Sequence, residues 1–91
     1  MGNEEARTIL REHIQTFRER SYADLVTVLG KSQVAEAVGL SGARYQLEVL
    51  VQWDSRPGGS VRVLGAIDDG GARAFKPLTE DFLIAPTGAL L

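Results

Sequence analysis

Apolar positions along the chain repeat with one period before residue 32 and with another after it. Between residues 4 and 20, Ala6, Ile9, Leu10, His13, Ile14 and Phe17 recur at three- and four-residue steps. That spacing predicts a helix with one apolar face. Asn3 is the expected N-cap, with Glu4 and Glu5 at the positive end of the helix dipole and Arg18 and Arg20 at the negative end. Ser21, with Asp24 three residues on, marks a second helix start, and a short helix is expected from Tyr22 to Leu29, ended by Gly30. The helical part is therefore expected to bend at Arg20–Ser21.

From Ser32 the period falls to two. Gln33 to Gly39 reads as a strand, although "QVAEAVG" also fits a helix. "LSGA" supplies a turn, and Arg44 to Trp53 is the clearest segment of the chain. Tyr45, Leu47, Val49, Val51 and Trp53 point one way; Arg44, Gln46, Glu48 and Gln52 point the other, and Leu50 breaks the alternation. After the loop "DSRPGG", Ser60 to Asp68 turns Val61, Val63 and Ile67 inward. Gly65 falls on that inward face, where a missing side chain admits a bend or a closely packed helix. Ala72 to Leu78 is expected as the fourth strand. A short turn at Thr79 to Asp81 would follow, then a small strand pair, Phe82–Ile84 with Ala89–Leu91, around "APTG". Strands joined by short loops must run antiparallel, because parallel neighbours need crossovers of about a dozen residues or more. The expected fold is a two-layer α+β domain spanning residues 1–91. A bent N-terminal helix lies on one face of a four-stranded antiparallel meander, and a short C-terminal strand pair follows.

The stretch "GAIDDGGARAF", Gly65 to Phe75, concentrates two acids and two glycines between apolar neighbours. Calcium loops need oxygen ligands at alternating positions over about a dozen residues, and phosphate loops lead into a lysine and a helix. Neither pattern is present, and an Asp-Gly step between strands is a hairpin signal. A two-residue turn on Asp69–Gly70 would leave Phe75 on the outer face near Leu64. A three-residue loop with a bulge at Gly70 would bring Phe75 and Arg73 inward, and is preferred because Phe75 then fills the space beside Gly65.

Other candidate chemistry is sparse. His13, the single histidine, borders the apolar stripe, and metal sites need three or four ligands. No serine sits in a nucleophile elbow. Glu80 and Asp81 read first as the acids of a capped turn. His13, Tyr45 and Trp53 are the candidate lining of a pocket between helix and sheet. Leu50 and Leu64 point to the polar face of neighbouring strands, where some registers set them opposite each other. With Arg62, Ala66 and Phe75 they form a candidate interface for a symmetric dimer.

Composition narrows the partners. Hydrophobic residues make up 44% of the 91-residue chain and charged residues 24%, as in ordinary globular domains. There is no cysteine, which excludes disulfides, thiolate metal sites and a cysteine nucleophile. The net charge of −2, with acids and bases interleaved, gives no basic field for nucleic acid or anionic membrane. With no signal-like or bilayer-length apolar run, the default expectation is a cytoplasmic protein without a cofactor.

The order helix, "YQLEVLVQWD" and "VRVLGAIDDGGARAFKPLTEDFLIAPTG" resembles a set of small uncharacterised bacterial proteins carrying "IDDGG…RAF.PL…F" ahead of a Pro-x-Gly tail. The likeness covers the last half of the chain, implies homology and brings no activity with it. The architecture also resembles the cystatin-like group, in which an antiparallel sheet grips a helix. Inhibitory members carry Gln-x-Val-x-Gly, whereas "QVAEAVG" lacks that spacing, so protease inhibition does not carry over and ranks last. A non-catalytic interaction or accessory domain, self-associating through the outer sheet face, is the leading expectation. A small-molecule-binding protein or enzyme with a pocket between helix and sheet is the alternative.

Overall fold

The computed structural model describes residues 2–70 and 77–91, and side chains from Glu4 onward. Among the described residues two helices, α1 (Gly2–Arg18) and α2 (Tyr22–Val26), precede four strands: β1 (Ser32–Val38), β2 (Arg44–Trp53), β3 (Val61–Asp68) and β4 (Leu78–Ile84). The strands form one antiparallel sheet in sequence order. The fold is α+β, with the N-terminal helix packed on one face of an open four-stranded sheet.

The apolar stripe of α1 explains its seat. Ala6, Leu10, Ile14 and Phe17 are all buried, and α1 lies chiefly over β3 and β4. Each such Leu or Ile contributes about 1.5–3 kcal/mol through its removal from water. Opposite them, β2 and β3 turn in Leu47, Val49, Val51, Val61, Val63 and Ile67. Gly65 sits in the middle of this contact. A Cβ there would collide with Ile14 Cδ1 and lie 3.2 Å from Leu10 Cδ1, so the absent side chain sets how closely α1 approaches. The helix begins at Gly2, so Asn3 lies inside it and is not its cap. Ser21 does cap α2: its hydroxyl accepts the Asp24 N–H at 3.0 Å. The second helix is shorter than expected and ends in turns up to Gly30, whose φ of 76° suits glycine.

In the C-terminal third one expectation is corrected and another is met in part. β4 is Leu78–Ile84, and Thr79 to Asp81 are part of it, not a turn, while the expected strand Ala72–Leu78 falls mostly outside the described residues. β3 pairs along its length with this strand, from Val61↔Ile84 to Ile67↔Leu78. Sequence alternation misses β4 because Glu80 occupies the inward face, where an apolar residue is expected. Its position opposite Gly65 tolerates this, and its carboxylate reaches the Arg11 guanidinium of α1 at 3.4 Å. The expected pairing of Phe82–Ile84 with Ala89–Leu91 is met in reduced form. Phe82–Ile84 is the end of β4, and the tail meets it through one bridge, Ile84↔Leu90, and a bond from Leu91 N–H to the Leu83 carbonyl. Gly70, the expected bulge position, has a φ of 81°, and the rest of that loop, with the facing of Arg73 and Phe75, falls on residues 71–76, outside the described residues. Gln33 to Gly39, open to two readings from sequence, is a strand over Ser32–Val38.

Candidate functional site

The helices leave the other face of the sheet open. The register builds it in rows: Ser32, Leu50, Leu64 and Asp81 lie side by side, then Val34, Glu48, Ala66 and Thr79, while Gln52, Arg62 and Leu83 form the row beyond Leu50. Leu50 and Leu64 are direct cross-strand partners, both half-buried in the isolated chain. Directly opposed side chains are the unit of contact on a sheet surface, so these two make one apolar spot. Ala66 and Leu83 extend it, and Val34 adds a 58%-exposed apolar side chain at the β1 edge.

Arg62 borders this spot and is held by two acids. Its Nε and Nη2 donate to Asp54 Oδ1 at 3.1 and 2.9 Å, and its Nη1 donates to Asp81 Oδ2. The hydrogen bonds to Asp54, with the nearby charge of Asp81, push the Arg62 pKa further up. The cation is permanent and largely neutralised by neighbours of its own chain, so it frames the apolar spot without drawing a distant anion. Phe75, the remaining residue of the expected interface, lies outside the described residues.

The residues expected to line an internal pocket do not converge. Tyr45 and Trp53 stand at opposite ends of β2, about 27 Å apart at the rise of an extended strand. Tyr45 is buried, and its hydroxyl donates to Glu5 Oε1 at 2.8 Å. His13 is half-buried with its ring edge-on to Phe17, centroids 5.6 Å apart. Trp53 is half-buried opposite Val61. Between them the helix–sheet space is filled by side chains with essentially no exposure, such as Leu10, Ile14, Val49 and Val63.

A cluster that sequence reading missed lies at the start of α1. Glu5 Oε1 accepts from the Ser41 hydroxyl at 2.7 Å as well as from Tyr45, and Glu5 Oε2 accepts the Ser41 N–H at 3.0 Å. These bonds, those from Ser41 first, hold the Glu5 pKa below its ordinary value. Gly39 makes room for it: a Cβ there would lie 2.7 Å from Glu5 Oε2 and closer still to the rest of the carboxylate. No sequence signal links residues 36 and 40 positions apart, so spacing could not have found this clasp. Its chemistry is structural. A general base works best with a pKa near the operating pH, and Glu5 is moved the other way, while Ser41 has no histidine beside it in these contacts. Beside the clasp an open groove of about 860 Å³ runs between α1 and the β1–β2 turn, bordered by Ile9, Glu12, Val38 and Leu40.

Among the described residues, no group of three or more His, Asp or Glu could hold a metal ion, and no helix is long and apolar enough to cross a membrane. In comparisons with known proteins, no family model, no curated protein and no solved structure matches the chain.

Proposed function

We propose that this chain is a non-catalytic interaction domain that self-associates through the outer face of its sheet. The observation that carries this reading is the direct opposition of Leu50 and Leu64 on the face the helices leave open. Scattered surface leucines are ordinary, but two in cross-strand register, continuous with Ala66 and Leu83, offer a contiguous area for burial. A second copy presents the same spot, and a twofold contact places like against like. The paired charges of Arg62, Asp54 and Asp81 form the polar border that such contacts carry.

Sedimentation velocity over a range of concentrations tests the reading. Leu64→Lys places an ammonium across from Asp81, which suits the folded chain, and drives a charge into the proposed contact. The expected result is concentration-dependent association through this face, weakened about tenfold or more in the variant, the effect of losing a central apolar contact. A wild-type protein whose association is indifferent to Leu64→Lys would sink the proposal.

A further inference from the structure

β1 is an edge strand, and it lacks the devices that natural edges use against pairing. Ser32–Val38 contains no proline, lysine or arginine, and its seven consecutive pairs with β2 run without a bulge. Its one charged residue is Glu36, and Val34 and Val38 are 58% and 67% exposed. The opposite edge is guarded differently: β4 carries Glu80 and Asp81, and the chain's own tail folds back on its end.

The hydrogen-bond phase shows which groups face the open edge. Gly39 N–H donates to the Ala43 carbonyl at 2.8 Å, just beyond the last β1–β2 pair. In an antiparallel ladder bonded and non-bonded pairs alternate. Ala37, Ala35 and Gln33 therefore exchange bonds with β2, while the N–H and C=O groups of Ser32, Val34, Glu36 and Val38 point away from it. Among the described residues β1 has β2 as its ladder partner and no strand on its other side.

From this alignment we infer that β1 pairs antiparallel with β1 of a second copy about a twofold axis at Ala35, joining two sheets into one of eight strands. The strand is complementary to itself in that register. Ser32 meets Val38 of the second copy and Val34 meets Glu36, so all four outward residues find outward partners. An axis at Gln33 or Ala37 would leave two of the four without partners, and an axis at Glu36 would set carboxylate against carboxylate. With the axis at Ala35, no two like charges stand directly opposite. The two Glu36 side chains are diagonal neighbours, with a separation of about 7–8 Å. On the inner face the half-buried Ala35 and Ala37 approach the second copy's Ala35 and Gln33, where small side chains let the backbones close. This contact uses the edge of the sheet and not its face, so it stands whether or not the Leu50–Leu64 contact forms.

The test runs in the Leu64→Lys background, which removes the face contact, and reads mass by sedimentation equilibrium. Val34→Lys sets an ammonium opposite Glu36 of the second copy and opposite Glu48 of its own chain. This variant should remain dimeric, with a dissociation constant equal to or below that of the parent. Adding Glu36→Lys sets lysine against lysine at two symmetric places, and the dissociation constant should rise about tenfold or more over Val34→Lys alone. Circular dichroism confirms that each exposed substitution leaves the fold intact. A parent that stays monomeric at every concentration, a Val34→Lys chain that is already monomeric, or a double variant as dimeric as the single one each overturns the inference. Dimers in the parent that vanish only in the double variant establish both the partner and the register.

Discussion

Gly65 is the residue that most directly links the sequence to the packing. Adding a Cβ there drives it into Ile14 Cδ1 and to 3.0 Å from Ile14 Cγ1, in an interior with no spare volume. Gly65→Ala should therefore cost about 1–3 kcal/mol, the usual penalty of overfilling a packed core. Ile14→Val removes the colliding methyl, at about 0.5–1.5 kcal/mol on its own. The two changes should offset each other, so that the double variant is less destabilised in urea unfolding than the two single changes added together. Strict additivity would mean that the helix simply rides up over the new methyl. This position was legible in the sequence as a gap in an inward-facing row. Glu80, its cross-strand partner, was not, because the two features that permit an inward acid, an opposing glycine and an arginine 69 residues away, are not local.

At the scale of elements, the parts set by short-range chemistry were the readable ones. Arg44–Trp53 alternates, Leu50 apart, because one face is buried and the other wet, and the sequence showed its bounds. The start of α2 was readable for a similar reason, since Ser21 and Asp24 act within one turn. That cap has a measurable weight. Ser21→Ala removes the acceptor for the Asp24 N–H at the head of a helix of five residues. It should lower stability by about 1 kcal/mol, within the usual range for lost caps. Ser21→Asp restores an acceptor and should recover most of the loss; equal denaturation midpoints for all three proteins would show that Leu25, buried beneath α2, holds the helix without its cap. The fourth strand failed the same local test. Its polar run Thr79–Glu80–Asp81 resembles a capped turn until β3 is known to lie beside it, so the element depends on pairing and not on propensity. The candidate interface divides along the same line. That Leu50 and Leu64 face outward followed from alternation, while their direct opposition required a register that loop composition alone does not fix.

For the whole molecule, the readable feature was the two-layer plan, because a helix with one apolar face and a sheet with one apolar face have a single way to bury both. What fastens the layers at their open end was hidden. Glu5 ties the first turn of α1 to Ser41 in the β1–β2 turn and to Tyr45 at the start of β2, three places brought together only by folding. The clasp gives stability a direction in pH. Bonds to the charged form hold the Glu5 pKa below its ordinary value of 4.5 when folded, so the unfolded chain takes up the proton first as acid is added. The contribution of Glu5 is thus fully present above that value and is lost as the pH falls through the lower folded-state pKa. Asp24, held down by its bond from Arg20, adds a loss of the same sign. Thermal unfolding of wild-type protein and Glu5→Gln from neutral pH to about pH 3 separates the two acids. The wild type should melt higher at neutral pH, and its advantage should shrink steadily below pH 4.5, while the acid loss due to Asp24 is common to both proteins. A gap between the two melting curves that stays constant across that window would mean that Glu5 acts through its shape and neutral hydrogen bonds, with no part played by its charge.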